Sequence, residues 1–163
     1  THSPLLPKDT NLEKQFRGML TIPSVCSHLA QPALSLPDSM VVTGLACGPA
    51  EPTLERERAF AVRTPNNGHV VSGKIDRATI WSRHGKPIAA EIVDFKTDFL
   101  GVSPDEHTRA IDAKIHLYSP QMEHYRMAVA SRLNIDPTHI TTTLLFVETG
   151  MAVRTLSLST IST

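Results

Sequence analysis

Two acids and a lysine stand where apolar residues belong. In Glu91-Ile92-Val93-Asp94-Phe95-Lys96-Thr97-Asp98, two charges interrupt the run Ile88, Ala89, Ala90, Ile92, Val93 and Phe95, which otherwise reads as a strand buried on both faces. Side chains alternate across a strand, so Asp94 and Lys96 share one face while Val93 and Phe95 share the other. Eighteen positions upstream of Asp94, Gly73-Lys74-Ile75-Asp76-Arg77 sets a second acid inside another β run. Neighbouring strands could bring Asp76 and Asp94 within a few ångströms of each other. Carboxylates that close repel unless a cation holds them, and hard divalent ions such as magnesium take oxygen ligands in this way. Lys96, on the Asp94 face, could orient or activate a water and stabilise charge on a phosphoryl oxygen. The plainer alternative is an ion pair at a strand end, with Asp76 capping a turn or pairing with Arg77.

The elements that must position these groups follow from periodicity and turn chemistry. Leu54 to Arg63 and His69 to Trp81 read as strands, joined through Thr64-Pro65-Asn66-Asn67-Gly68, whose Asn-Gly step signals a hairpin. Arg83-His84-Gly85-Lys86-Pro87 is a second turn leading into the Asp94 strand, which predicts three successive antiparallel strands. Residues 98 to 117 are polar and read as a loop over the site. Ser119-Pro120 predicts a helix start, a cap followed by proline at the first helical position, with Met122, Tyr125, Val129 and Leu133 as its apolar stripe. Ile140 to Val147 is rich in β-branched residues, and Met151 to Ser157 can pair with it across Glu148-Thr149-Gly150. Asn11 to Leu20 predicts a short helix, after which Pro23, Pro32, Pro37 and Pro49 forbid long regular elements. The order helix, three strands, helix, two strands predicts an α+β (mixed α/β) fold with a central mixed β-sheet flanked by helices. A simple doubly wound parallel sheet is excluded by the turn-linked strands.

With 163 residues, 40% hydrophobic and 20% charged, the chain has the size and composition of one globular domain. Residues 1–53 read as a helix and a segment wrapping a core made elsewhere. Sixteen basic residues balance 16 acidic ones, which argues against tight autonomous nucleic-acid binding and leaves room for a local basic face. No membrane span or signal peptide is evident, so a cytoplasmic protein with no membrane partner is expected. Cys26 and Cys47 lie outside any zinc pattern, and the eight histidines form no H-E-x-x-H motif.

Taken together, G-x-I-D-R, I-V-D-F-K-T and Tyr118-x-x-Gln121-x-x-x-Tyr125 resemble the PD-(D/E)xK nuclease superfamily. Within it, the match resembles the nuclease domain at the C-terminal end of AddA- and RecB-type helicase-nucleases. Arg56-Glu57-Arg58-Ala59-Phe60 also resembles the R-E-x-P-F segment that precedes those motifs, with Ala59 departing from the proline. The resemblance spans residues 55 to 147. It implies a restriction-endonuclease-like core and magnesium-dependent hydrolysis of DNA phosphodiesters, with manganese as a possible substitute. It further implies that Asp76, Asp94 and the Phe95 carbonyl hold the metal, that Lys96 is the catalytic lysine, and that Gln121 and Tyr125 hold substrate or the lysine. A helicase motor, in the same or a partner chain, would feed DNA to the site as single strands, making this an exonuclease domain of recombination and repair cut from a longer protein. The upstream histidine ligand of many relatives has no counterpart on the Asn11 to Leu20 helix, and His28 lies in a poorly matching stretch.

Other residues carry less. Glu57 is as well explained by a solvated strand face as by a site role. Without the resemblance Tyr125 reads as core and Gln121 as surface; with it, both stand beside the site. His116, His124, Lys114 and Arg126 are candidate phosphate contacts of low weight. The alternative to an enzyme is a catalytically silent DNA-binding or structural module of the same fold.

Overall fold

The computed structural model of the chain describes residues 17–30, 32, 49–63 and 68–155. Most of the helix expected over Asn11 to Leu20 lies outside them. A short helix α1 (Pro23–Leu29) precedes three strands, β1 (Glu51–Arg63), β2 (Val70–Arg83) and β3 (Lys86–Lys96). A long helix α2 (Pro104–Leu133) and a single 3-10 turn (Pro137–His139) lead to β4 (Ile140–Phe146) and β5 (Met151–Thr155). The five strands form one mixed sheet in the order β1-β2-β3-β4-β5. β1, β2 and β3 pair antiparallel, as does β4 with β5, while β3 and β4 run parallel. A parallel pair requires a crossover connection, and α2 provides it. The fold is thus α+β with a mixed sheet between helices.

The main core lies between one sheet face and α2. Ile75, Ala78, Ile80, Ala90, Ile92, Leu144 and Phe146 meet Ile111, Met122, Tyr125 and Val129 there. Alternation sends Val93 and Leu145 to the opposite face, where they pack with Val25 of α1. Buried Arg77 also points that way, its guanidinium donating to the Leu29 and Ala30 carbonyls at 3.5 and 2.6 Å. A cation at a helix C-terminus satisfies carbonyls that have no partner within the helix. Ala50, Trp81 and Ala89 form a separate small cluster.

The stretch expected as a loop over residues 98 to 117 is, from Pro104 onward, the first half of α2. The reason is a capping box. The Ser103 hydroxyl accepts from the Glu106 amide at 3.3 Å, and the Glu106 carboxylate accepts from the Ser103 and Val102 amides at 3.1 and 2.7 Å. Gly101, at φ 105°, makes this possible, because a Cβ there would stand 2.6 Å from Glu106 Cβ. Ser119-Pro120 consequently lies inside the helix and starts nothing. Pro120 is on the exposed side, where the carbonyl it leaves without an intrahelical donor meets solvent, and the Ser119 hydroxyl donates back to the Ile115 carbonyl at 2.6 Å. Among the described residues no helix is long and apolar enough to cross a membrane.

Candidate active site

Asp94 and Lys96 lie on the α2 face of the sheet, at the C-terminal end of β3 between β2 and β4. Asp94 is 3% exposed. Its Oδ2 lies 2.6 Å from Lys96 Nζ, a buried ion pair. Burial raises the Asp94 carboxyl above its ordinary pKa; Lys96 opposes that rise and the charge of Asp76 adds to it.

Asp76 enters from β2 through a local irregularity. Glu57 of β1 adopts a left-handed conformation (φ 51°), and it and Asp76 fall between the ladder pairs Arg56↔Arg77 and Arg58↔Ile75. On the other side, the β2–β3 ladder ends at Arg77↔Val93, one step short of Asp76 and Asp94. In place of a main-chain partner, the Phe95 amide donates to Asp76 Oδ2 at 2.9 Å. A residue in a strand points its N–H and C=O to the same side, so the Phe95 carbonyl also faces Asp76. Asp76 and Asp94 therefore sit on facing strands where the ladder ends, near enough for the charge of Asp76 to act on Asp94.

From α2, a stripe of polar residues one helical face apart comes down on this point: Lys114, Tyr118, Gln121 and Tyr125, at i, i+4, i+7 and i+11. Lys96 Nζ donates to Gln121 Oε1 at 3.2 Å, Gln121 Nε2 donates to the Tyr125 hydroxyl at 2.5 Å, and that hydroxyl donates to the Lys74 carbonyl at 3.0 Å. Burial, followed by the nearby Asp94 charge, pushes the Tyr125 phenol up to about 12. Phe60 of β1 packs edge-on against the Tyr125 ring, with centroids 5.2 Å apart. Its position explains Gly73, its cross-strand partner: a Cβ there would stand 2.8 Å from Phe60 Cε1. The Tyr118 ring lies against Lys96 Nζ, 3.9 Å from its centroid.

The expected residues thus separate. Asp76, Asp94, Phe95, Lys96, Gln121 and Tyr125 are brought together. Glu57 is exposed and in an ion pair with Lys74. His28 sits on α1, which packs on the opposite face, with Nδ1 2.7 Å from the Ser24 carbonyl. Arg126 is not a phosphate contact: it is 3% exposed, and it donates to Glu123, Thr142 and the Thr155 carbonyl, tying β5 to α2. Lys114 pairs with Asp98. His116 is exposed and His124 half-buried. Tyr118 opened the Tyr118-x-x-Gln121-x-x-x-Tyr125 element without a role of its own, and Asp98 had none. The i, i+4, i+7, i+11 spacing would have added Lys114 to the face of Tyr118, Gln121 and Tyr125 had residues 104 to 133 been taken as one helix.

The donor chemistry suits a hard divalent ion, since it consists of oxygens. Among the described residues no group of three or more His, Cys, Asp or Glu side chains is arranged to hold a metal. No protein-family model matches the chain, and no curated protein matches it.

Proposed function

We propose that this chain is a metal-dependent deoxyribonuclease domain with a restriction-endonuclease-like core, hydrolysing DNA phosphodiester bonds. The observation that carries the proposal is the buried Asp94–Lys96 pair at the open end of a strand pair, next to a second acid, Asp76, that the lysine does not neutralise. A buried acid left in that state costs stability, and such costs are concentrated at functional sites. In this reading Asp76, Asp94 and the Phe95 carbonyl hold magnesium, for which manganese can substitute. When bound, the ion supplies positive charge to the oxygens of the scissile phosphate.

Lys96 contributes a second charge. Its ammonium donates to a phosphate oxygen while the water oxygen bonds to phosphorus and the P–O ester bond breaks, the proton that the water gives up passing to solvent and the departing ester oxygen taking one back. Gln121 and Tyr125 keep that ammonium at a fixed distance from the Lys74 main chain and hence from Asp76 on the same strand. The resemblance to helicase-nucleases extends the proposal to an exonuclease acting on single strands supplied by a motor domain in recombination and repair. A balanced net charge fits a domain that is handed its substrate.

A second reading, a silent module that grips DNA or braces a partner, draws on two observations. Lys96 stands directly on Asp94, and the described residues offer no third side-chain ligand. Degradation of end-labelled single- and double-stranded DNA in magnesium, manganese or chelator, with Asp94→Ala in parallel, separates the two. Cleavage that requires metal and is lost in Asp94→Ala is expected. Metal-dependent DNA binding without cleavage would establish the silent module instead.

A further inference from the structure

Lys96 is held by more than its acid. Its ammonium also rests on the Tyr118 ring, 3.9 Å from the centroid. That ring is in turn fixed at its far end. The Tyr118 hydroxyl donates to Asp98 Oδ2 at 2.9 Å and lies 3.2 Å from Oδ1, while Lys114, one turn earlier on α2, forms an ion pair with the same carboxylate. Asp98 follows Lys96 by two residues, so the arrangement closes a loop from β3 to α2 and back to the lysine.

We infer that Tyr118, anchored through Asp98 and Lys114, is a positioning residue that keeps the Lys96 ammonium in place once Asp94 is engaged elsewhere. The need for it follows from the chemistry of the site. Asp94 cannot serve a metal and fully neutralise Lys96 with the same oxygen, so a lysine held by Asp94 alone would swing away when a cation arrives. An aromatic face attracts an ammonium without competing for metal, because it offers no hard oxygen in that direction. The phenol's hydrogen bond to Asp98 fixes the ring plane, and the Lys114 pair fixes Asp98. None of these three groups touches the reacting phosphate in this scheme. They act through Lys96.

The inference rests on the nuclease reading for its kinetic consequence only, and the test separates the two. An aromatic ring against an ammonium displaces the resonances of the neighbouring methylene, so the Lys96 ε-CH2 signal in lysine-labelled protein, assigned by its loss in Lys96→Arg, reports the contact directly. That signal is expected to be displaced in the parent, to shift part of the way in Tyr118→Phe, which keeps the ring and loses its hydrogen bond to Asp98, and to move to the position of a free lysine in Tyr118→Leu. In metal-dependent cleavage of a labelled oligonucleotide, Tyr118→Leu should lower kcat about tenfold with KM nearly unchanged, and Tyr118→Phe should recover most of it. Lys114→Gln, which leaves ring and helix intact, should shift the signal part of the way and serves where the leucine variant does not fold. An ε-CH2 signal indifferent to Tyr118→Leu, or equal loss of kcat in the Phe and Leu variants, overturns the inference. A parent that never cleaves DNA but shows the displaced signal overturns the nuclease reading and leaves the positioning contact standing.

Discussion

At the scale of single residues, Asp94 and Asp98 flank Lys96 by two residues each and titrate in opposite directions. Burial raises the Asp94 carboxyl, so the folded chain binds that proton more tightly than the unfolded one, and stability falls as pH rises through the folded pKa. Neutralising it should therefore stabilise the fold: Asp94→Asn is expected to melt a few degrees higher at neutral pH while losing cleavage, as read by calorimetry and nuclease assay on the same preparation. Lys96 keeps Gln121 and the Tyr118 ring in that variant. Asp98 behaves in the opposite way. The Lys114 ammonium, aided by the Tyr118 hydroxyl, holds its carboxyl below the ordinary value of 3.8. Its contribution is fully present above that value and is lost as pH falls through the lower, folded one. Thermal melts across pH should show Asp98→Asn less stable than the parent near neutrality, with the gap closing in acid.

At the scale of elements, the site depends on how closely aromatic rings and strands approach. Gly73 faces Phe60, and Phe60 braces Tyr125, so Gly73→Val should displace the ring and cost about 1–3 kcal/mol, measurable by urea titration. Removing the cap of α2 by Ser103→Ala should cost about 1 kcal/mol in the same measurement. The three antiparallel strands, the β4–β5 pair and the shared face of Asp94 and Lys96 were legible in the sequence, because alternation and turn residues are local signals. The first half of α2 was not. Ser103-Pro104-Asp105-Glu106 carries a complete capping box, yet Ser119-Pro120 offers a rival start sixteen residues later, and only packing against the sheet decides between them. With that half read as loop, Lys114 could not be aligned with Tyr118, Gln121 and Tyr125. Arg126 was misjudged for a related reason: its charge suggests a surface, whereas Thr142 and the Thr155 carbonyl give it partners inside. The irregularity at Glu57 has no sequence signature, since glutamate is not a residue that announces a positive φ.

At the scale of the whole molecule, a ligand that binds only the folded chain raises its stability. If Asp76, Asp94 and the Phe95 carbonyl bind magnesium, the ion at about a hundredfold over its dissociation constant should stabilise the parent by about 2.7 kcal/mol. Asp76→Ala and Asp94→Ala should show no such shift in a thermal titration. The parallel pairing of β3 with β4 has a kinetic consequence as well. Asp76 and Asp94 belong to strands joined by a tight turn, so they can meet early, at the small entropic cost of closing a short loop. Lys96 acquires Gln121, and β3 acquires β4, only when the whole crossover of residues 97–139 has docked. Non-local closure of that kind is slow, so the acids gather before the groups that discipline them. Stopped-flow refolding should show this order: substitutions in the β2–β3 hairpin slow folding, whereas Gln121→Ala leaves the folding limb nearly unchanged and speeds unfolding. The expected order is thus hairpin first and crossover last, so that Lys96 gains Gln121 only with the last large piece of backbone to settle.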